Sequence, residues 1–196
     1  MNYFDKISKN YKLNSFNIIH RIIKKKETIV FKKILKKIKN KNKISAIDIG
    51  AGSGFYSNIL YSSGIRNISC IDSSKNMLRQ IKINNVKLIN KNFLNTNYKL
   101  KFDLIIAMGI LEFLPNYKEF IKKISSLSKK NTIIIILMPK KNVFSFFYFI
   151  FHLLKGNIIH FHKINDVMNY LKMFGWVNID KFFVFPVSNL LVAKIK

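Results

Sequence analysis

Three of the 7 glycines in this 196-residue chain, Gly50, Gly52 and Gly54, fall within five positions of the segment AIDIGAGSGFYS, just behind a β-branched run and the aspartate Asp48. Glycines at alternate positions between a strand and a helix permit unusual backbone angles and let a ligand lie directly on peptide groups. A dinucleotide fingerprint starting at Gly50 requires Gly or Ala at position 55, where Phe55 stands, and its pyrophosphate is met by a helix N-terminus. The pattern here is D-x-G-x-G-x-G, with Asp48 inside the strand end. A carboxylate at that place repels phosphate and suits a cationic group, so the expected ligand is nucleotide-like and carries positive charge.

Asp72 lies 18 residues after Gly54 at the end of the apolar run NISCID. An acidic side chain there can accept hydrogen bonds from two ribose hydroxyls. The competing reading is an aspartate capping a helix that begins at Ser73 or Ser74. Only 9 residues are acidic, yet Asp48, Asp72 and Asp103 each stand at the edge of an apolar strand, which argues against chance placement. The single cysteine, Cys70, excludes an internal disulfide and reads as a buried strand residue. His160 and His162 project to one side of an extended IIHFH, and with no third ligand beside them no metal site is expected.

These residues need elements to hold them. The runs Ile44–Ile49, Asn67–Asp72, Val86–Asn90, Phe102–Met108 and Asn131–Met138 read as strands, the first as one covered on both faces. Helical patterns lie between them: FYSNILYSSG closed by Gly64, SSKNMLRQIKI, and Asn116–Leu127. A lysine-rich helix is expected over Ser15–Lys43, and KINDVMNYLKMFG forms another before two strands, NIDKFFVFP and SNLLVAKI, joined by a tight turn. Strands alternating with helices predict an α/β domain, a mostly parallel sheet with helices on both faces and an antiparallel hairpin at the C-terminus. No linker interrupts it, so residues 1–196 are expected to form one domain.

The segment from Asp48 to Gly54 resembles the first motif of the class I S-adenosylmethionine (SAM) methyltransferase family, matching at Asp48, Gly50, Gly52 and Gly54. The resemblance implies a Rossmann-like three-layer sandwich with a seven-stranded sheet. It places Asp48 near the methionine end of the cofactor, Gly50, Ala51 and Gly52 beneath it, and Asp72 with Ser73 at the ribose. Asn92 stands where the family often has an aspartate for the adenine amino group, and Phe93 where an apolar residue lies beside the ring. FDLIIAMGILEFLPN resembles the fourth motif: Ala107, Met108 and Gly109 would meet the methionine moiety, Glu112 would face the cleft, and Phe113 replaces a frequent histidine. NYFDKISKNY is similar to the helix that covers the cofactor in many members, with Tyr11 over the site and residues 1–43 as cover.

Methyl transfer can run on positioning alone, with a general base optional, so Glu112, His160 and His162 are candidates for acid–base work and not requirements. Residues 141–162 insert an aromatic helix, Lys141–Gly156, capped by Asn142, whose residues are apolar nearly all round. It reads either as a helix buried in the core or a dimer contact, or as a lid over a hydrophobic acceptor that makes peripheral membrane contact through residues 141–155. The expected acceptor is small and hydrophobic, lipid-, quinone- or glycan-lipid-like. The formal charge of +26 suggests RNA as an alternative substrate, but the lysines are spread along the chain, as A/T-rich coding would leave them, and AMGILEF is not the N/D-P-P-aromatic loop that grips an exocyclic amine. A third reading is a binding protein that kept the fold without activity. MNYFDKISKN lacks an apolar signal core, and VFSFFYFIFHLL is too short to span a bilayer, so a cytoplasmic protein, peripheral to the membrane at most, is expected.

Overall fold

A computed structural model describes residues 18–154, 156 and 158–196. Its elements are α1 (Ile18–Lys37), β1 (Ser45–Ile49), α2 (Phe55–Ser62), β2 (Asn67–Asp72), α3 (Lys75–Leu78), β3 (Lys87–Asn90), β4 (Phe102–Met108), a 3-10 turn (Leu111–Phe113), α4 (Tyr117–Ser126), β5 (Ser128–Pro139), α5 (Val143–Leu154), α6 (Ile164–Met173), β6 (Trp176–Val184) and β7 (Ser188–Ile195). One seven-stranded sheet has the order β3-β2-β1-β4-β5-β7-β6. The first five strands pair in parallel, and β7 lies antiparallel between β5 and β6. This is the Rossmann-like three-layer arrangement expected from the alternation of runs.

The central strands β1, β2, β4 and β5 are apolar on both sides because both sides are covered, whereas the edge strands β3 and β6 are largely exposed. Ile47, Ile49, Ile105 and Ile136 pack with Phe120 and Ile121 of α4 and Val167 and Leu171 of α6. Their neighbours Ala46, Leu104, Ile106 and Ile135 face the other way, against Phe31 and Leu35 of α1 and Tyr56 and Leu60 of α2. β1 pairs with β2 on one side and β4 on the other, so the chain changes direction of winding there. A crevice opens at the carboxyl ends of β1 and β4, which is where an open sheet of this kind binds its ligand.

Four expectations change. α1 stops short of Lys43 because Asn40 turns to φ 51 and the Lys43 N–H closes on the Asn40 carbonyl at 2.9 Å. The helix expected over Ser73–Ile83 is only four residues long; tighter bonds from Gln80 N–H to Met77 and from Ile81 N–H to Leu78 end it and turn Ile81 inwards. β5 begins before Asn131, absorbing a bulge in which Asn131 has φ 70 and the Thr132 hydroxyl accepts from Lys129 N–H and donates to the Phe102 carbonyl. The reading of the aromatic insertion as a core helix fails, since α5 leaves Val143, Phe144, Leu153 and Leu154 exposed. Its cap is as expected, with Asn142 Oδ1 accepting from Ser145 N–H at 2.9 Å. Among the described residues no helix is long and apolar enough to cross a membrane. Tyr11 and the start of the N-terminal cover lie outside the described residues.

Candidate active site

The loop from Ile49 to Phe55 is held to β2 by two bonds, Gly50 N–H and Ala51 N–H both donating to the Ile71 carbonyl at 2.9 and 3.0 Å. All three glycines are left-handed, with φ of 72, 53 and 80 at Gly50, Gly52 and Gly54. They do different things. A methyl group on Gly50 would stand 2.9 Å from Ile110 Cδ1, and one on Gly54 only 2.8 Å from Ile81 Cγ1, whereas one on Gly52 would meet nothing nearer than Met77 Cε at 4.0 Å. Gly50 and Gly54 therefore let protein pack on protein, and Gly52 alone presents bare backbone to open space.

Two carboxylates bracket this shelf. Asp72 Oδ2 accepts from Gly52 N–H and Oδ1 from Ser74 N–H, each at 2.8 Å. Asp72 braces the turn, while Ser74, whose Oγ accepts from Met77 N–H, is the actual cap of α3. Asp48 is buried beneath the loop and accepts from Ser57 Oγ at 2.5 Å. Burial pushes its carboxyl up to about 7, against the pull of the Ser57 bond and with help from the nearby Asp72 charge. The Cys70 thiol donates to Ser57 Oγ at 3.2 Å and is itself pushed up to about 12, chiefly by burial, which suits a structural thiol.

Opposite them stands Lys24 of α1, whose Nζ lies 4.3 Å over the Tyr56 ring and 4.7 Å over that of Phe55. Burial lowers its amine below the usual lysine value, opposed by the charges of Glu27, Asp48 and Glu112. Those charges act beyond contact range, because Lys129–Asp103, at 3.0 Å, is the sole ion pair among the described residues. Glu27 fixes α1 in place: its buried carboxylate accepts from Tyr56 Oη at 3.0 Å and from Ser188 Oγ at 2.7 Å, linking α1 to α2 and to the start of β7.

The crevice is closed by the segment after β4. Met108 is buried at the strand end, Gly109 N–H donates to the Leu137 carbonyl at 3.1 Å, and Glu112 is buried in the 3-10 turn. The strap containing His160 and His162 holds this turn. His160 N–H donates to the Glu112 carbonyl at 2.7 Å, and His162 Nε2 faces the carbonyls of Leu111 and Leu114 at 3.1 and 2.9 Å. With two acceptors before it, Nε2 must carry the hydrogen, so this nitrogen positions the loop and takes no proton. The two imidazoles lie nearly parallel, centroids 6.3 Å apart, and Tyr117 packs on His162 at 5.0 Å.

Asp48, Gly50, Ala51, Gly52, Asp72, Met108 and Glu112 thus all lie at the carboxyl ends of β1, β2 and β4 or in the segments that follow them, with Ser73 exposed beside Asp72. The two residues expected beside the adenine follow β3. Asn92 Oδ1 accepts from Leu94 N–H at 2.9 Å in an exposed local turn. Phe93 is core, 5% exposed, and packs on Phe120 and Tyr98. Asn90, at the end of β3, donates to the carbonyls of Asp72 and Ser73 at 3.1 and 3.0 Å. Lys24, Glu27 and Ser57 are absent from the sequence reading. Only Glu27 carried a signal, as a rare acid inside a lysine-rich helix.

A sequence profile described as a methyltransferase domain matches residues 19–180. The ubiquinone biosynthesis O-methyltransferase of Rickettsia typhi is 31% identical over 145 residues, 68% of this chain and 57% of that protein. The enzyme of the same name from Pelagibacter ubique is 32% identical over 144 residues, 68% and 58% of the two chains. The chain thus spans little more than half the length of these relatives. Among solved structures, magnesium protoporphyrin IX methyltransferase from Synechocystis with bound SAH superposes with a TM-score of 0.78 over 99% of this chain and 97% of that one, at 17% identity.

Proposed function

Since the chain belongs to the methyltransferase-domain family, matched over residues 19–180, we propose that it transfers a methyl group from S-adenosylmethionine to a hydroxyl of a small hydrophobic, quinone-like acceptor. The observation that carries this reading is the open backbone at Gly52 joined by a hydrogen bond to the Asp72 carboxylate. The charge around it fits the same cofactor: the Asp72 carboxylate beside the loop disfavours a phosphate, Asp48 beneath it, pushed up to about 7 by burial, would ionise beside an ammonium group, and Lys24 supplies the counter-charge for a carboxylate. The names of the Rickettsia and Pelagibacter relatives support an oxygen on a quinone precursor as the methyl acceptor.

S-adenosylmethionine, when bound, supplies a methyl group activated on a sulfonium. Asp72 would hold the ribose hydroxyls, Lys24 the methionyl carboxylate and Asp48 the amino group. Orientation of this kind is worth up to about 7–11 kcal/mol. Glu112, buried at the crevice and held by the His160–His162 strap, would accept the proton that the acceptor hydroxyl releases as its oxygen takes the methyl group. His160 is the second candidate for that proton.

The test incubates the protein with methyl-labelled S-adenosylmethionine and a catechol bearing a short prenyl tail. Label should pass to the solvent-extractable catechol, and Glu112→Gln should slow the transfer by about a hundredfold or more. Label that stays with the cofactor, or passes instead to added RNA, would contradict the acceptor assignment. Lys24→Met should weaken S-adenosylhomocysteine about tenfold to a hundredfold, the loss of one charge-assisted hydrogen bond, while leaving 5′-methylthioadenosine, which has no carboxylate, unchanged in calorimetry.

A further inference from the structure

The carboxyl edge of the sheet also carries an apolar surface that the reaction itself does not use. Val143 and Leu154, near the two ends of α5, are 76% and 83% exposed, and Phe144, Phe183 and Phe185 are each about half in solvent. The aromatic members form one row, with Phe144 and Phe185 centroids 6.0 Å apart and Phe185 and Phe183 6.3 Å apart. They come from two elements that are tied together. Asn142 Nδ2 donates to the Pro186 carbonyl and Lys140 N–H to that of Val187, both at 2.6 Å. Because Ser188 pairs with Pro139, the turn between β6 and β7 stands at the same sheet edge as the crevice.

Cations cover the rings. Lys26 Nζ of α1 lies 4.8 Å over Phe185, and Lys140 Nζ lies 4.1 Å over Phe183. No acidic residue occurs anywhere between Glu119 and Asp166. An aromatic row with lysines over it, and no carboxylate on the chain from β5 through α5, suits insertion at the level of lipid headgroups. A second copy of the chain would bring the same lysines against themselves, whereas anionic headgroups complement them. Exposed rings and lysines could also meet nucleic acid bases, but the aliphatic Val143 and Leu154 beside them, 76% and 83% exposed, gain only from an apolar phase.

We propose that α5 and the β6–β7 turn, with Lys26 of α1, form a docking face for a bilayer that contains anionic lipid, which sets the crevice mouth against the membrane. The docking stands on exposure and charge; its use, collecting a lipid-soluble acceptor for Glu112, rests on the reaction proposed above. The experiment sediments the full chain with vesicles of phosphatidylcholine alone or of equimolar phosphatidylcholine and phosphatidylglycerol. The chain should pellet with the anionic vesicles and lose this in high salt. Phe144→Ser with Phe185→Ser should leave it in the supernatant, and Lys26→Gln with Lys140→Gln should weaken binding by about twenty-five-fold, at about fivefold per lysine. S-adenosylhomocysteine binding of these variants, followed by calorimetry, should equal that of the parent, which separates loss of docking from loss of fold or of the cofactor site. Failure of the parent chain to pellet with anionic vesicles overturns the proposal, as does vesicle binding that survives the double Phe substitution. So does light scattering that shows a dimer broken by that substitution while vesicles go unbound.

Discussion

Asp48 is the residue with the most unusual chemistry in the crevice, a carboxyl that burial pushes up to about 7. In the unfolded chain it titrates near 3.8, so between those values the folded protein holds a proton that the unfolded chain has released. Stability must then fall as pH rises from about 4 to about 7 and level off above, with a total effect of a few kcal/mol. Asp48→Asn removes this term, because an amide does not titrate. Chemical denaturation at a series of pH values should show the variant gaining on the parent steadily across that window, with the advantage constant above it. A difference between the two that does not change with pH would mean that Asp48 is ionised in the folded protein throughout.

The elements explain why three glycines sit in one loop. β1 and α2 are joined so tightly that Ile81, beyond α3, and Ile110, after β4, pack directly on the loop backbone at Gly54 and Gly50. Gly54→Ala should cost stability, by about 1–3 kcal/mol for the overpacked contact together with the left-handed angle. Gly52→Ala meets no such contact and should lose little beyond the cost of that angle, about 1–2 kcal/mol, but should weaken S-adenosylhomocysteine far more than it lowers the melting temperature. Thermal unfolding and calorimetry on the two variants separate these outcomes; equal loss of affinity at unchanged stability for both would refute the division of labour. The strands were legible in the sequence because burial on both faces forces an unbroken apolar run, as in β2 and β4, where the read boundaries coincide with Asn67–Asp72 and Phe102–Met108. α3 was not, because Ile81 continues the helical spacing of Met77 and Leu78 although the chain turns out of the helix to set it on Gly54. For α5 the same residue pattern serves a buried helix and an exposed one, and only the packing decides.

Across the whole molecule, a formal charge of +26 accompanies a single ion pair among the described residues, while Lys24, Lys26, Lys118, Lys123 and Lys140 lie over aromatic rings. That excess also hid Lys24, one of 35 Lys and Arg residues, whose place over Tyr56 depends on how α1 docks through Glu27, a long-range contact that local pattern does not encode. The turn at Asp48, Gly52 and Asp72 was legible because its residue types and spacing are dictated by the loop that carries them; the surroundings of Asn92 in an exposed turn and of Phe93 in the core were not, because β3 ends in a turn whose geometry the sequence leaves open. The central claim is that the Gly52 backbone and the Asp72 carboxylate together hold the adenosyl group of S-adenosylmethionine. Calorimetric titration with S-adenosylhomocysteine tests it most directly. The parent chain should bind with measurable heat and Asp72→Ala should bind at least about a hundredfold more weakly, the loss of two hydrogen bonds to a charged group; no heat from the parent, or full affinity in the variant, would contradict the account.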